Sequence, residues 1–151
     1  MPKHSEKKIV KFTSLQMFNL VADIDNYYLF LPWCNSSKII EKTKSDDDIE
    51  HLIADLEIGY KNIVYTYRSN VLLNHKNLSI HVTFVHGPFK HLENKWNFNE
   101  LGNDMCEIDF FIDFELNISI FNLLITRFFK QAFNKMVSSF EKRANQIYGS
   151  Q

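Results

Sequence analysis

Alternation of apolar and polar residues with a period of two dominates the middle of the chain. It predicts β-strands over residues 38–43, 52–61, 63–71, 78–84 and 92–99. The clearest case predicts a further strand, in which Cys106, Ile108, Phe110, Ile112 and Phe114 alternate with Glu107, Asp109, Asp113 and Glu115. Because the connections between these segments are short, we expect an antiparallel meander with one apolar face and one polar face.

Helical patterns flank this series of strands. Residues 8–12 predict a short first strand, and Thr13 and Gln16 then have the spacing of a capping box at the start of a helix. A second helical piece over residues 27–31 would end at Pro32, which disfavours the helical conformation of the residue before it. Apolar residues at helical spacing over residues 118–148 predict one long helix of roughly 46 Å, which ends at Gly149.

The order of these elements predicts an α+β fold in which one sheet packs on one long helix. We expect a curved antiparallel β-sheet of about seven strands wrapped around the long C-terminal helix, with two short helices after the first strand. One curved sheet cannot close perfectly along a single helix, so such a fold holds its ligand in the gap between the two layers. The 151 residues are predicted to form a single domain, residues 1–151.

Composition adds an excess of aromatic side chains. The chain has 14 Phe and 6 Tyr, more than a small core usually needs, which favours either a lined cavity or a tightly packed aromatic core. The net charge of −1 gives no overall attraction to nucleic acid, so we expect no DNA partner. The sequence has neither an apolar run of 18 residues nor a secretory signal, which predicts a cytoplasmic protein in which Cys34 and Cys106 are free thiols.

Residues 27–34 form the strongest candidate for a ligand-contacting surface. Phe30, Leu31, Pro32 and Trp33 make either a structural corner or one wall of a cavity. On the predicted apolar face, Tyr65 and Tyr67 are either hydroxyl donors to a ligand or ordinary buried tyrosines. The other predicted cavity residues are apolar or aromatic and lie on the later strands and the last helix: Val82, Phe84, Phe89, Trp96, Phe114, Phe129, Phe133 and Met136.

The connection at residues 87–89 has two interpretations. A glycine next to an exposed phenylalanine would suit a mobile lid over the mouth of the cavity. If Phe89 folds inward instead, the same residues form a plain hairpin loop. The sequence pattern is compatible with both interpretations.

The pattern predicts neither a catalytic set nor a metal site. His81, His86 and His91 are each five residues apart, which matches no metal-ligand spacing. The carboxylates of the strands alternate onto the polar face, away from the predicted cavity: Asp55, Glu57, Asp109, Asp113 and Glu115. We therefore expect a binding protein and not an enzyme, with no catalytic residues, no metal and no cofactor.

Several segments carry a resemblance to a known family. They are residues 21–27, 30–34, 54–60, 87–89 and 113–115, with Ser37, Leu92, Trp96 and the end of the chain at residues 140–149. The most specific are Leu-Pro-Trp-Cys at residues 31–34 and Phe-Glu-x-Arg-Ala at residues 140–144. In these segments the chain resembles the START-like helix-grip superfamily, and within it the RatA and coenzyme Q-binding family of the polyketide cyclase/dehydrase type.

The resemblance implies a hydrophobic pocket that binds ubiquinone or a similar lipid. It implies a carrier or chaperone in support of the respiratory chain, in peripheral contact with the inner membrane. It also implies an alternative, a protein that binds the large ribosomal subunit and blocks subunit association. A further alternative is a polyketide cyclase-like enzyme, which would need an ionisable side chain pointing into the same cavity.

Overall fold

The computed structural model describes residues 3–60, 63–117 and 123–149. Three elements begin the chain: β1 (Lys3–Val10), α1 (Ser14–Ala22) and a 3₁₀ helix (Ile24–Leu29). Six strands follow: β2 (Cys34–Lys44), β3 (Ile49–Tyr60), β4 (Ile63–Asn74), β5 (Ser79–His86), β6 (Phe89–Gly102) and β7 (Met105–Leu116). Two helices, α2 (Leu123–Asn134) and α3 (Met136–Tyr148), complete the described chain.

The strands form a seven-stranded sheet in the order β1-β7-β6-β5-β4-β3-β2, with every neighbouring pair antiparallel. The meander from β2 to β7 is the one that the alternation predicts, and β1 extends it by pairing with β7. Asn103 and Asp104 both have positive φ angles in the two-residue turn between β6 and β7, as a hairpin of this kind requires. The predicted α+β helix-grip architecture is confirmed.

The first strand is longer than predicted and lies in a different range, Lys3–Val10 instead of residues 8–12. The alternation rule missed residues 3–7 because the inward positions of this strand are partly polar. They include Glu6 and Lys8, since β1 is an edge strand whose inner side meets polar groups. Lys8 Nζ, for example, lies 2.6 Å from Glu141 Oε1 of α3. A strand of this kind lacks the apolar alternation that identifies the others.

The capping box at the start of α1 is confirmed. Thr13 Oγ1 accepts a hydrogen bond from the Gln16 backbone N–H at 3.0 Å, and Gln16 Oε1 accepts one from the Thr13 backbone N–H at 2.9 Å. The next helical piece is a 3₁₀ helix at Ile24–Leu29, which begins earlier than the predicted residues 27–31. The Tyr27 hydroxyl in this 3₁₀ helix donates to the Val21 carbonyl and so attaches it to α1.

The predicted single C-terminal helix is instead two helices that meet at Lys135; residues 118–122 of that prediction lie outside the described residues. The Lys135 carbonyl accepts from Ser138 Oγ at 3.0 Å and from both Ser139 Oγ at 2.9 Å and Ser139 N at 3.0 Å. Serine hydroxyls that bond back to the preceding turn compete with the helical ladder and bend helices. The two adjacent serines thus account for the interruption, which apolar spacing does not detect.

The concave face of the sheet carries the core. Phe140 of α3 packs against Trp96 of β6 and against Tyr27 and Phe30, with ring centroids 5.2–5.4 Å apart. These contacts join the sheet, the 3₁₀ helix and the C-terminal helices into one apolar interior. Among the described helices, none has both the length and the hydropathy needed to span a bilayer.

Candidate functional site

A cavity lies between the concave face of the sheet and the helices. Residues from α1, the 3₁₀ helix, β3 to β7, α2 and α3 line it: Val21, Ile24, Tyr27, Ala54, Leu56, Tyr67, Ser69, Val71, Ile80, Val82, Asn94, Trp96, Phe110, Phe133, Met136 and Phe140. This central cavity has a volume of about 50 Å³, room for a few water molecules.

Three polar side chains on the sheet wall of the central cavity have no hydrogen-bond partner among the described residues. They are Tyr67 and Ser69 of β4 and Asn94 of β6, and we call them the polar patch. Tyr67 and Ser69 are buried to more than nine-tenths, and the Asn94 Oδ1 atom is fully buried. Burial raises the pKa of the Tyr67 hydroxyl, so it remains a neutral donor.

The lining of the central cavity includes no Asp, Glu, His, Lys or Arg within the described residues. Asp55 lies on the convex face, as the alternation predicts, and there it receives two hydrogen bonds from Arg68 at 2.8 and 3.1 Å. The Arg68 guanidinium holds the pKa of Asp55 below its usual value. In the described part of the chain, no group of three or more His, Cys, Asp or Glu residues could hold a metal ion. The cavity thus offers apolar contact and neutral hydrogen bonds.

Five of the sequence-predicted residues line the central cavity: Tyr67, Val82, Trp96, Phe133 and Met136. Each was predicted because it falls on the inward phase of a strand or on the apolar side of the last helix. That they contact a ligand remains a prediction.

The other predicted residues lie elsewhere. Leu31 and Trp33 are buried in the core without lining the cavity, while Phe30 and Pro32 line a separate groove on the outside of the helices. Phe84 borders a shallow depression near β6. The rest pack on one another at one end of the sheet, with ring centroids 5.2–6.3 Å apart: Tyr65, Phe89, Phe114 and Phe129.

Phe89 is buried, so the lid interpretation of residues 87–89 is wrong and the hairpin interpretation holds. Its ring lies 5.3 Å from that of Tyr67 and 5.2 Å from that of Phe129. Gly87 has a φ of 145°, and a Cβ built there would stand 2.5 Å from Tyr67 Cβ. A glycine is needed for this turn because the chain passes close against the neighbouring strand.

Sequence reasoning missed part of the cavity wall, above all Ser69 and Asn94. A signal was present, because Ser69 is in phase with Tyr67 and Val71, and Asn94 lies between Leu92 and Trp96 on the inward side of β6. A polar residue at an inward position of an otherwise apolar strand indicates a buried polar group. No sequence pattern identifies the cavity residues of α1 and the 3₁₀ helix, such as Ile24 and Tyr27. They line the cavity because of the way these helices pack against the sheet.

The groove lined by Phe30 and Pro32, here called the outer groove, also includes Leu29, Ser139, Lys142, Arg143 and Gln146. The Arg143 guanidinium carbon lies 5.3 Å from the centre of the Phe30 ring, a cation–π contact. Arg143 Nη1 donates to Gln146 Oε1 at 3.1 Å, whereas its buried Nε has no partner among the described residues. Tyr28 and Leu29 beside this groove are about half exposed, 50% and 52%.

Comparison with known proteins places this fold among lipid-handling proteins and cyclases. The family described as "Polyketide cyclase / dehydrase and lipid transport" matches residues 10–141. The coenzyme Q-binding protein COQ10 homolog B, mitochondrial, of Xenopus laevis is 35% identical over 152 residues, and the match covers 99% of this chain and 60% of that protein. The ribosome association toxin RatA of Escherichia coli K12 is 33% identical over 150 residues, covering 99% of this chain and 91% of RatA.

Solved structures agree on the fold. A START superfamily protein from Mycobacterium smegmatis has a TM-score of 0.78 at 14% identity, covering 96% of this chain and 98% of that one. The ZhuI aromatase/cyclase from Streptomyces sp. R1128 has a TM-score of 0.80 at 12% identity, covering 95% and 93%. The START-like helix-grip resemblance is confirmed, and the chain belongs to the polyketide cyclase/dehydrase and lipid-transport family.

Proposed function

We propose that this protein binds ubiquinone or a similar hydrophobic lipid and acts as a carrier or chaperone in support of the respiratory chain. The central cavity carries the proposal, because its wall is apolar and aromatic with a few neutral polar groups. The name of the Xenopus relative, a coenzyme Q-binding protein, supports quinone as the ligand. We propose a binder and not an enzyme because general acid–base catalysis needs a group that titrates near neutral pH close to the substrate, whereas the polar side chains of the described lining are Tyr, Ser, Asn and Trp, which stay neutral there.

The central cavity must widen to hold such a ligand. Its present room suits a few water molecules, whereas pockets for drug-sized ligands occupy about 300–1,000 Å³. Phe133 and Met136 belong to its helical wall and lie on either side of Lys135, where α2 gives way to α3. Movement of α2 at this junction would enlarge the cavity and leave the sheet hydrogen bonds intact.

A thermal shift experiment tests this proposal. A decyl-tailed ubiquinone should raise the free energy of unfolding by about 2.7 kcal/mol at a ligand concentration one hundred times Kd. Val82→Phe should abolish this shift because it fills the cavity, while Val85→Phe on the exposed side of β5 should leave the shift intact. If delipidated protein shows no shift with any long-chain quinone or lipid, the proposal is wrong.

Peripheral membrane contact is part of the proposal, and the outer groove is where we place it. Half-exposed Leu29 lines this groove together with Lys142 and Arg143, and half-exposed Tyr28 precedes Leu29 in the 3₁₀ helix, a combination that suits an anionic bilayer surface. Each basic residue near such a surface contributes about 1 kcal/mol. Lys142→Gln should therefore weaken binding to vesicles rich in phosphatidylserine roughly fivefold, with Lys76→Gln in the distant β4–β5 turn as control. Equal loss in both variants would contradict this placement.

A second candidate function is association with the large ribosomal subunit. Its support is the printed name of the 33% identical relative, a ribosome association toxin, and exposed Lys130, Lys135 and Lys142 on the C-terminal helices. The net charge of −1 argues against it, since RNA binding depends on concentrated basic charge. Co-sedimentation with ribosomal subunits over a salt series tests it, and no binding even at low salt would exclude it.

A further inference from the structure

The polar patch is placed to contact opposite sides of one small ring. Ser69 lies on β4 and Asn94 on β6, and β5 runs between them. Val71, two residues from Ser69, faces Val82, which in turn faces Asn94. Neighbouring strands are about 4.8 Å apart, so directly opposite positions on β4 and β6 are separated by about 10 Å, and Ser69 lies a further two residues, or about 7 Å, along β4. A single ring seated between them could reach Tyr67 or Ser69 with one oxygen and Asn94 with another.

The hydrogen-bonding capacity of the patch includes both donors and acceptors. The Asn94 amide oxygen Oδ1 is a buried acceptor without a partner in the described chain, and the amide nitrogen of the same side chain makes no hydrogen bond there either. The hydroxyls of Tyr67 and Ser69 each donate or accept. A ligand with acceptors alone leaves the buried amide oxygen of Asn94 unpaired, and an unpaired buried acceptor is costly.

The charge of the head group is restricted as well. The described lining contains no cation that could pair with a carboxylate or phosphate. Burying an unpaired charge costs far more than burying a hydroxyl. Fatty acids and phospholipids are therefore disfavoured at the polar patch.

We infer, on the basis of the proposed function, that the polar patch binds an uncharged ring carrying hydroxyl groups, so that the cavity prefers a hydroquinone to the corresponding quinone. One hydroquinone hydroxyl donates to the Asn94 amide oxygen, and the other hydroxyl accepts from Tyr67 or Ser69. The oxidised ring has carbonyl oxygens only and cannot donate to Asn94. The quinone and the hydroquinone have almost the same shape and make the same apolar contacts. A difference between their affinities for the cavity therefore reflects hydrogen bonding.

Calorimetric titration of the full chain tests this inference under anaerobic conditions. The probes are the reduced and oxidised forms of decyl-tailed ubiquinone, with decanoate as the anionic comparison. We expect the reduced form to bind about fivefold to tenfold tighter than the oxidised form. Asn94→Leu should remove that preference, and Asn97→Leu, the same substitution on the exposed side of β6, should preserve it. Asn94→Ala, which also removes the amide oxygen and should also remove the preference, is the second variant if Asn94→Leu does not fold.

The outcomes separate this inference from the proposed function. Equal affinity for the two redox forms, unchanged in Asn94→Leu, would overturn the hydroxyl preference while quinone binding stands. Decanoate binding as tight as that of the reduced ring would overturn the argument on charge. Binding of none of the probes would refute the proposed function itself.

Discussion

At the scale of single residues, Glu100 connects two distant parts of the chain. Its Oε1 atom accepts hydrogen bonds from the Ser14 backbone N–H at 3.1 Å and from Ser14 Oγ at 2.8 Å, at the first turn of α1. Its Oε2 atom accepts from the Gly102 backbone N–H at 3.2 Å. Helix N-termini favour negative charge, and the bonds from Ser14 lower the pKa of Glu100. The carboxylate thus fastens α1 to the β6–β7 hairpin.

We predict that Glu100→Gln lowers the melting temperature at pH 7 and that the difference disappears in acid. A carboxyl with a lowered folded-state pKa stabilises the fold above its unfolded pKa, about 4.3 for Glu, and that contribution is lost as the pH falls through the folded value. Melting curves of both proteins between pH 7 and pH 3 measure this. Glu41→Gln, at an exposed carboxylate, is the control. A difference that persists unchanged at pH 3 would contradict the prediction.

At the scale of elements, the two hairpins at Gly87 and Gly102 depend on glycine for different reasons. Both residues have positive φ, 145° and 84°. A Cβ at Gly102 would have nothing within 4 Å, whereas one at Gly87 would overlap Tyr67 of β4. Gly102 thus supplies backbone freedom alone, and Gly87 also permits the close approach of the chain to Tyr67, which belongs to the polar patch.

We predict that Gly87→Ala costs about 3 kcal/mol or more, because steric overlap adds to backbone strain. Gly102→Ala should cost about 1–2 kcal/mol from strain alone. Urea denaturation of both variants measures the two free energies. Because Gly87→Ala also displaces Tyr67, it should weaken quinone binding, while Gly102→Ala should not. Equal losses of unfolding free energy for the two substitutions would contradict the prediction, because they would show that the chain around Gly87 accommodates the added methyl group at no energetic cost.

At the scale of the whole molecule, Phe140 holds the layers together. It is completely buried, and its ring contacts the sheet through Trp96 and the 3₁₀ helix through Tyr27. The same side chain lines the central cavity. Phe140 therefore both holds α3 against the sheet and forms part of the wall of the proposed binding site. A change at this residue should affect the stability of the fold and ligand binding together.

We predict that Phe140→Ala lowers the free energy of unfolding by about 3–5 kcal/mol, the usual cost of truncating a buried aromatic ring. That is a large share of the roughly 5–15 kcal/mol that stabilises a typical domain. Ile147→Ala at an exposed position of the same helix should change it by less than about 0.5 kcal/mol. Chemical denaturation provides the comparison. A cost for Phe140→Ala near that of the control would mean that the helix is not held through this ring.

Much of the fold and part of the site follow from the sequence alone. The order of strands β2 to β7, the inward phase of each and the capping box of α1 are local properties, because side-chain alternation and cap spacing depend on neighbours along the chain. That phase also placed Tyr67, Val82 and Trp96 on the wall that faces the helices.

The tertiary structure decided the remainder. How far the helices stand from the sheet determines which inward residues line a cavity and which, like Phe89 and Phe114, pack on one another. The bend at Lys135 and the bond between Glu100 and Ser14 depend on hydrogen bonds that hydrophobic periodicity does not register. The unpaired state of Asn94 is visible only when all its neighbours are in place, because an unsatisfied polar group is defined by the groups that surround it.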